Sequence, residues 1–260
     1  MPAYASALVT GASSGLGRAL ALALAEPGAV LHLCGRDAAR LDDVAAACRA
    51  RGAEAHTRVL DVRDRDGMAA WIGGVGRLEL VVANAGVSAG PGRDGLERPG
   101  QVRDVFDVNL GGVLNTALPA LALMRAQTPG ADGVRGRIAA VASVGAFTPS
   151  PGAPSYCAAK AAVDAWTVGT AVGARAQGVW MTSLCPGYVR TPMTAGNRFP
   201  MPGLMDAERA ARVMLRGVAA GRRRVAFPWW VATLARLTGA LPPGLSGALL
   251  SRAPGKEPAM

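Results

Sequence analysis

Short apolar runs alternate along the chain with longer stretches whose apolar residues return at helical spacing. Residues 5–9, 29–34, 56–60 and 78–82 are runs of strand length. Between them, residues 18–26, 38–51 and 65–75 are predicted as helices, the first rich in alanine and leucine. Asp37 is placed to cap the second helix and Gly52 to end it. The alternation goes on through a helix over 101–124, interrupted by Gly111-Gly112, and a strand over 137–142. A helix over 153–176, a strand over 179–184, a helix over 207–219 and a short strand over 224–227 follow.

The strands are apolar throughout rather than alternating, which is expected when helices cover both faces of a sheet. Repeated strand–helix order with right-handed crossovers then predicts an α/β, Rossmann-type doubly wound parallel sheet. No shift in composition divides the chain. Residues 1–228 read as one catalytic domain whose segment 187–205 forms a lid. Residues 229–260 read as an apolar extension packing on the domain or at an interface.

Composition narrows the partners. Half of the 260 residues are hydrophobic and 18% are charged, enough to fill a core. The formal charge is +10, but the basic residues are scattered apart from Arg222-Arg223-Arg224, and no stacking module or zinc finger accompanies them. No specific nucleic-acid partner is expected. Two histidines and four cysteines without a CxxC pair predict no metal and reduced thiols. No secretory signal is visible and no uninterrupted apolar run reaches the roughly 20 residues of a spanning helix, so a cytoplasmic protein is expected. Trp229, Trp230, Leu234, Leu237, Leu241, Leu245 and Leu249, with Arg236 among them, offer an apolar surface. Packing accounts for that surface most simply, and peripheral membrane contact is the alternative.

Chemistry enters between the first strand and helix, at Thr10-Gly11-Ala12-Ser13-Ser14-Gly15-Leu16-Gly17. Small residues there let the backbone approach a pyrophosphate, and the helix N-terminus presents amides to it. No GK[ST] follows, which argues against an ATP hydrolase. Tyr156 and Lys160 lie four apart in a predicted helix, so they share a face. An ammonium beside a phenol is expected to lower its pKa from about 10 toward a useful base. Ser143 follows the fifth strand, Asn109 sits in DVNLGG, and Asp61-Val62, Asn84-Ala85-Gly86 and Pro186-Gly187 follow other strands.

Together these widely spaced motifs resemble the classical short-chain dehydrogenase/reductase family, over nearly the whole chain to about Pro228. The resemblance implies that Gly11, Ser13, Ser14, Gly15, Leu16 and Gly17 hold a dinucleotide. It places Asp61 and Val62 at the adenine, though Asp61 is also suited to cap the next helix. Asn84, Ala85 and Gly86 are shared between cofactor contact and strand support. Pro186, Gly187, Val189 and Thr191 shape the nicotinamide pocket. Ser143, Tyr156 and Lys160, with Asn109 as a fourth member supporting a water, form the catalytic set, and Tyr156 and Lys160 also touch the cofactor. Gly35 stands where NAD-preferring relatives carry an acid, and Arg36 where NADP-preferring ones carry a base. NADP(H) is therefore expected, with NAD(H) admitted.

The implied reaction is reversible hydride transfer with a small apolar carbonyl or alcohol, in a homodimer or homotetramer. Met193, Met201 and Met205 suit an adaptable apolar pocket, and Arg198 and Phe199 are placed to face substrate or solvent. A catalytically silent NADP-binding sensor, or an epimerase or dehydratase on the same fold, are the competing readings.

Overall fold

A computed structural model describes residues 4–91 and 95–250. The first half runs β1 (Ser6–Thr10), α1 (Gly15–Leu24), β2 (Val30–Gly35), α2 (Ala38–Arg49), β3 (Glu54–Val59), α3 (Arg65–Gly74) and β4 (Leu80–Ala83). The second continues with α4 (Pro99–Phe106), α5 (Gly112–Ala126), β5 (Gly136–Val141), α6 (Pro154–Ala176) and β6 (Val179–Pro186). Then come β7 (Val189–Arg190), α7 (Pro192–Ala195), β8 (Met205–Asp206), α8 (Ala207–Ala219), β9 (Arg224–Phe227), α9 (Trp229–Gly239) and α10 (Pro243–Leu250).

Seven strands make one parallel sheet in the order β3-β2-β1-β4-β5-β6-β9. The chain runs outward from β1 to β3, then restarts on the other side at β4. That reversal opens a crevice at the C-terminal ends of β1 and β4, the usual ligand position in such sheets. The inner strands β1 and β4 are buried at nearly every residue because helices cover both faces. β3 is an edge strand and more exposed. It begins two residues earlier than the apolar run 56–60, because pairing with β2 recruits Glu54 and Ala55.

The core has two layers. One packs Leu20, Leu24, Leu41 and Val44 with Met214 and Leu215 against the sheet. The other packs Met68, Ile72, Ala117, Ala120 and Met124 on the opposite face. The span Pro99–Ala126 is long and apolar enough to cross a membrane by length and composition, yet Val113, Ala117, Ala120 and Met124 are buried in the fold. All four cysteines are free and buried.

Two local departures bear on the site. α1 begins at Gly15, inside the glycine motif, rather than at residue 18. Its small residues belong to the helix's first turn and place backbone amides there. The predicted single helix over 101–124 is α4, one turn of π-helix at Asp107–Gly111, then α5. Such insertions widen the backbone locally and recur at functional positions. This one carries Asn109.

Beyond β9, α9 lies on the domain. Val231, Ala232 and Thr238 are buried, and Gly239 meets the backbone of Phe147 and Thr148 so closely that any side chain there would overlap the Phe147 carbonyl. The other side of α9 and α10 leaves Trp229, Leu237, Leu245 and Leu249 exposed.

Candidate active site

One cavity of about 1000 Å³ runs across the crevice and collects the glycine turn, the ends of β2, β4, β5 and β6, the first turn of α6, and α9. Gly11 and Gly15 have φ of +65° and +52°, a region glycine enters freely. A Cβ on Gly17 would overlap the carbonyl of Gly11, so only glycine lets α1 seat this close. Ser14, the N-cap of α1, makes no capping bond with its side chain. The first-turn amides of a helix want an acceptor, and Gly15, Leu16 and Gly17 line the cavity. The donor set and the glycine cradle fit a dinucleotide pyrophosphate.

Asn84 ties the turn to β4. Its Nδ2 donates to the Thr10 and Gly11 carbonyls at 2.9 and 3.3 Å. Thr10 Oγ1 returns the link by accepting from the Asn84 and Ala85 amides at 3.0 and 3.2 Å. Thr10 opens the glycine motif, but its bonds to the Asn84 and Ala85 amides are not anticipated from sequence. A threonine at the end of a strand, just before the glycine turn, is the signal that could have marked it. Thr191 closes the cradle from above: a Cβ on Gly15 would meet its Cβ at 3.1 Å. Thr191 also caps α7 in a reciprocal box with Thr194. Pro186, Gly187 and Val189 line the cavity beside it.

At the end of β2, Gly35 lies against Ser13, 3.2 Å from where its Cβ would sit. An acid there would crowd the turn. Arg36 stands largely exposed, 4.0 Å from Asp61. Arg40, which the sequence reading passed over, also faces the cavity. Asp37 caps α2 by accepting from the Arg40 amide at 3.1 Å, as expected. Asp61 does not cap α3; Asp64 does, accepting from the Gly67 amide at 2.9 Å. Asp61 lines the cavity with Val62 and binds Arg63, whose guanidinium holds its carboxyl below the usual range.

Ser143, Tyr156 and Lys160 meet on the facing wall. Ser143 Oγ accepts from the Gly145 amide at 3.1 Å, capping the 3-10 turn Val144–Phe147, and hydrogen-bonds the Tyr156 phenol. Local cap and site hydroxyl are one and the same group. Lys160 is buried, with Nζ 5.8 Å from the Tyr156 ring centroid and donating to the Val141 carbonyl at 2.7 Å. Asn109 is fully buried and clamps Val87 at both ends, accepting from its amide and donating to its carbonyl, each at 2.8 Å. Gly86 fills the space between Asn109 and Lys160: its Cβ would lie 2.9 Å from Asn109 Oδ1 and 3.5 Å from Lys160 Nζ.

The electrostatics differ from the expectation. Burial pushes the Tyr156 phenol up to about 12, only partly opposed by the Ser143 hydrogen bond. Burial likewise pulls Lys160 down to about 8. Desolvation disfavours each charged form and is the largest cause of both shifts. Lys160 spends its hydrogen bond on a backbone carbonyl instead of on the phenol. Burial therefore holds the Tyr156 phenol protonated.

The sequence as a whole agrees with this geometry. A model of the short chain dehydrogenase family matches residues 5–200. The chain belongs to the short-chain dehydrogenase/reductase family. Its membership places it among oxidoreductases. It is 36% identical to an uncharacterized oxidoreductase of Myxococcus xanthus over 253 residues, covering 96% of this chain and 97% of that one. A short-chain dehydrogenase of Sphingobium yanoikuyae in complex with NADPH shares the fold, with a TM-score of 0.78 at 24% identity over 98% of each chain. A short chain dehydrogenase of Mycobacterium paratuberculosis bound to NAD gives a TM-score of 0.72 at 25% identity, covering 82% of this chain and 90% of that one. The family match stops short of α8, α9 and α10, yet α9 supplies Val231, Leu234, Ala235 and Thr238 to the cavity. Among the described residues no cluster of histidine, cysteine, aspartate or glutamate could hold a metal.

Proposed function

We propose that this short-chain dehydrogenase/reductase is an NADP-dependent enzyme interconverting an apolar ketone or aldehyde and its alcohol. The observation that carries the reading is the placement of Ser143, Tyr156 and Lys160 in the same cavity as the glycine turn. A silent sensor would need the turn alone. When bound, the nicotinamide supplies or accepts a hydride. Ser143 and Tyr156 hold the substrate oxygen, and the raised phenol gives it a proton during reduction. In oxidation the phenolate takes the proton back. Lys160 fixes the ribose and supports the phenolate, and Asn109 holds the π-turn that borders it. The cavity's far wall is apolar, with Val231, Leu234, Phe199 and Met193, which suits an apolar substrate. The decisive assay offers a broad ketone and alcohol panel with each cofactor; product alcohol matched to NADPH consumed supports the reading, and none with any partner removes it.

NADPH preference rests on Gly35, Arg36 and Arg40 around the adenosine end. A 2′-phosphate would meet two guanidinium groups and no carboxylate at position 35. Because Arg36 is exposed, Arg36→Ala is expected to lower kcat/KM for NADPH only about tenfold. Activity with NADH should stay within twofold or so. An equal fall with both cofactors would refute the assignment.

Gly17→Val is expected to abolish measurable NADPH binding in a fluorescence titration, since the new side chain collides with backbone that cannot move aside. Wild-type affinity in that variant would contradict the cradle. Assembly as a homodimer or homotetramer in the cytoplasm belongs to the same proposal; Leu118 on α5 and Val172 on α6 are exposed apolar groups suited to such a contact.

A further inference from the structure

The helix that carries Tyr156 starts without a cap of its own. Its N-cap is Ala153, whose methyl cannot accept a hydrogen bond, and its first turn contains no acid. Pro154 occupies the first helical position, Ser155 the second and Tyr156 the third. First turns fray when their amides lack acceptors. Fraying here would move the phenol itself.

The missing acceptor comes from 58 residues away. Glu97, in the segment between β4 and α4, receives the Ser155 amide on one carboxylate oxygen at 2.9 Å and the Ser155 hydroxyl on the other at 2.8 Å. Ser155 is buried and Glu97 half-buried, so both bonds are partly shielded from water. A negative group at this position also complements the helix dipole. The residues that leave β4 are also held by side chains. Asn109 clamps Val87, and Gln101 Nε2 donates to the Gly90 carbonyl at 2.9 Å. Val87 and Gly90, at the exit of β4, are thus held by Asn109 and Gln101, and Glu97 is held on the catalytic helix.

We propose that Glu97 supplies the missing N-terminal cap of the catalytic helix from the β4–α4 connection, and that it acts as a positioning residue for Tyr156. It touches neither substrate nor cofactor. Its effect reaches the reaction through the Ser155 backbone, one residue from the phenol. The inference rests on Tyr156 being the proton donor for its kinetic half, but not for its structural half.

The experiment therefore has two arms on the full chain. In the first, amide hydrogen exchange is followed in the protein without cofactor. Glu97→Ala should speed exchange at Ser155 and Tyr156 at least tenfold while the core of α6 keeps its protection. Unchanged exchange at Ser155 overturns the proposal whatever the reaction is. In the second, steady-state kinetics use an apolar ketone that the wild type reduces. Glu97→Ala should lower kcat on the order of tenfold, with NADPH affinity and ketone KM nearly unchanged. Glu97→Gln, which keeps one acceptor oxygen for the amide, should recover most of that loss. Full kcat in Glu97→Ala, or an equal loss in kcat and cofactor affinity, would overturn the positioning role. Should Glu97→Ala fail to fold, Ser155→Ala removes one of the two bonds with little change in packing. It should lower kcat severalfold, and wild-type kcat would count against the proposal. A wild type that turns over no carbonyl or alcohol defeats the reaction reading alone, and the exchange arm still decides the cap.

Discussion

Replacing Tyr156 by phenylalanine is expected to lower turnover of an apolar ketone roughly 10²- to 10⁴-fold, the range general acid catalysis supplies. NADPH should still bind with near wild-type affinity, because the ring remains and only the hydroxyl is lost. That hydroxyl is the group in hydrogen bond with Ser143, and burial holds it protonated, with its pKa pushed up to about 12. Those features suit a donor to a nascent alkoxide and have no evident use in binding. Stopped-flow reduction at saturating NADPH would measure the chemical step, and a cofactor titration would measure the binding. A variant with wild-type turnover would remove Tyr156 from the mechanism.

Lys160→Met should separate stability from activity. The ammonium is buried and makes one hydrogen bond, to the Val141 carbonyl. Its pKa falls from the ordinary 10.5 to about 8. Between those values the unfolded chain binds more protons than the folded one, so stability rises with pH across that window. Below about pH 8 the native state holds the charge at its full cost, on the order of 3 kcal/mol by the shift. Methionine removes the charge but leaves the Val141 carbonyl unpaired, which costs about 1 kcal/mol. The variant without cofactor is expected to melt several degrees higher at pH 7, with the gain disappearing by pH 10.5. Its turnover should fall at least about a hundredfold, since the proposed ribose contact and phenolate support would be lost together. A destabilised Lys160→Met variant at pH 7 would show that the lysine is not strained by burial.

The fold was legible because its signals are local and repeated. Apolar runs of strand length, Asp37 as a cap and glycines at the first turn each point to the same sheet. The glycine turn, Ser143, Tyr156, Lys160, Asn84 and Thr191 fall into one cavity as the spacing and the resemblance imply. What sequence could not show were effects that depend on distant partners. The π-turn at Asp107–Gly111 exists alongside the clamp of Asn109 on Val87, a partner 22 residues away. Glu97 finds Ser155 only after the chain has crossed the sheet again. Asp164 is buried on α6 and gathers Arg224 from β9 with Ser183 from β6, an ion pair no local pattern announces.

The Tyr156 shift runs opposite to what the spacing implies, for a related reason. Four-residue spacing puts phenol and amine on one face, but spacing carries no information on burial. In a dry wall, desolvation governs both groups. The pair is then a neutral phenol beside an easily deprotonated amine, poised for proton donation rather than for a resting phenolate.

The most direct test of the central claim follows a labelled hydrogen. NADPH carrying deuterium at the transferable nicotinamide position is mixed with the wild type and an apolar ketone, and the product alcohol is examined by mass spectrometry and NMR. Deuterium on the carbinol carbon, in one configuration, is the predicted result, with Tyr156→Phe forming little or no labelled alcohol over the same interval. Tight NADPH binding with no label reaching any member of the carbonyl panel would contradict it.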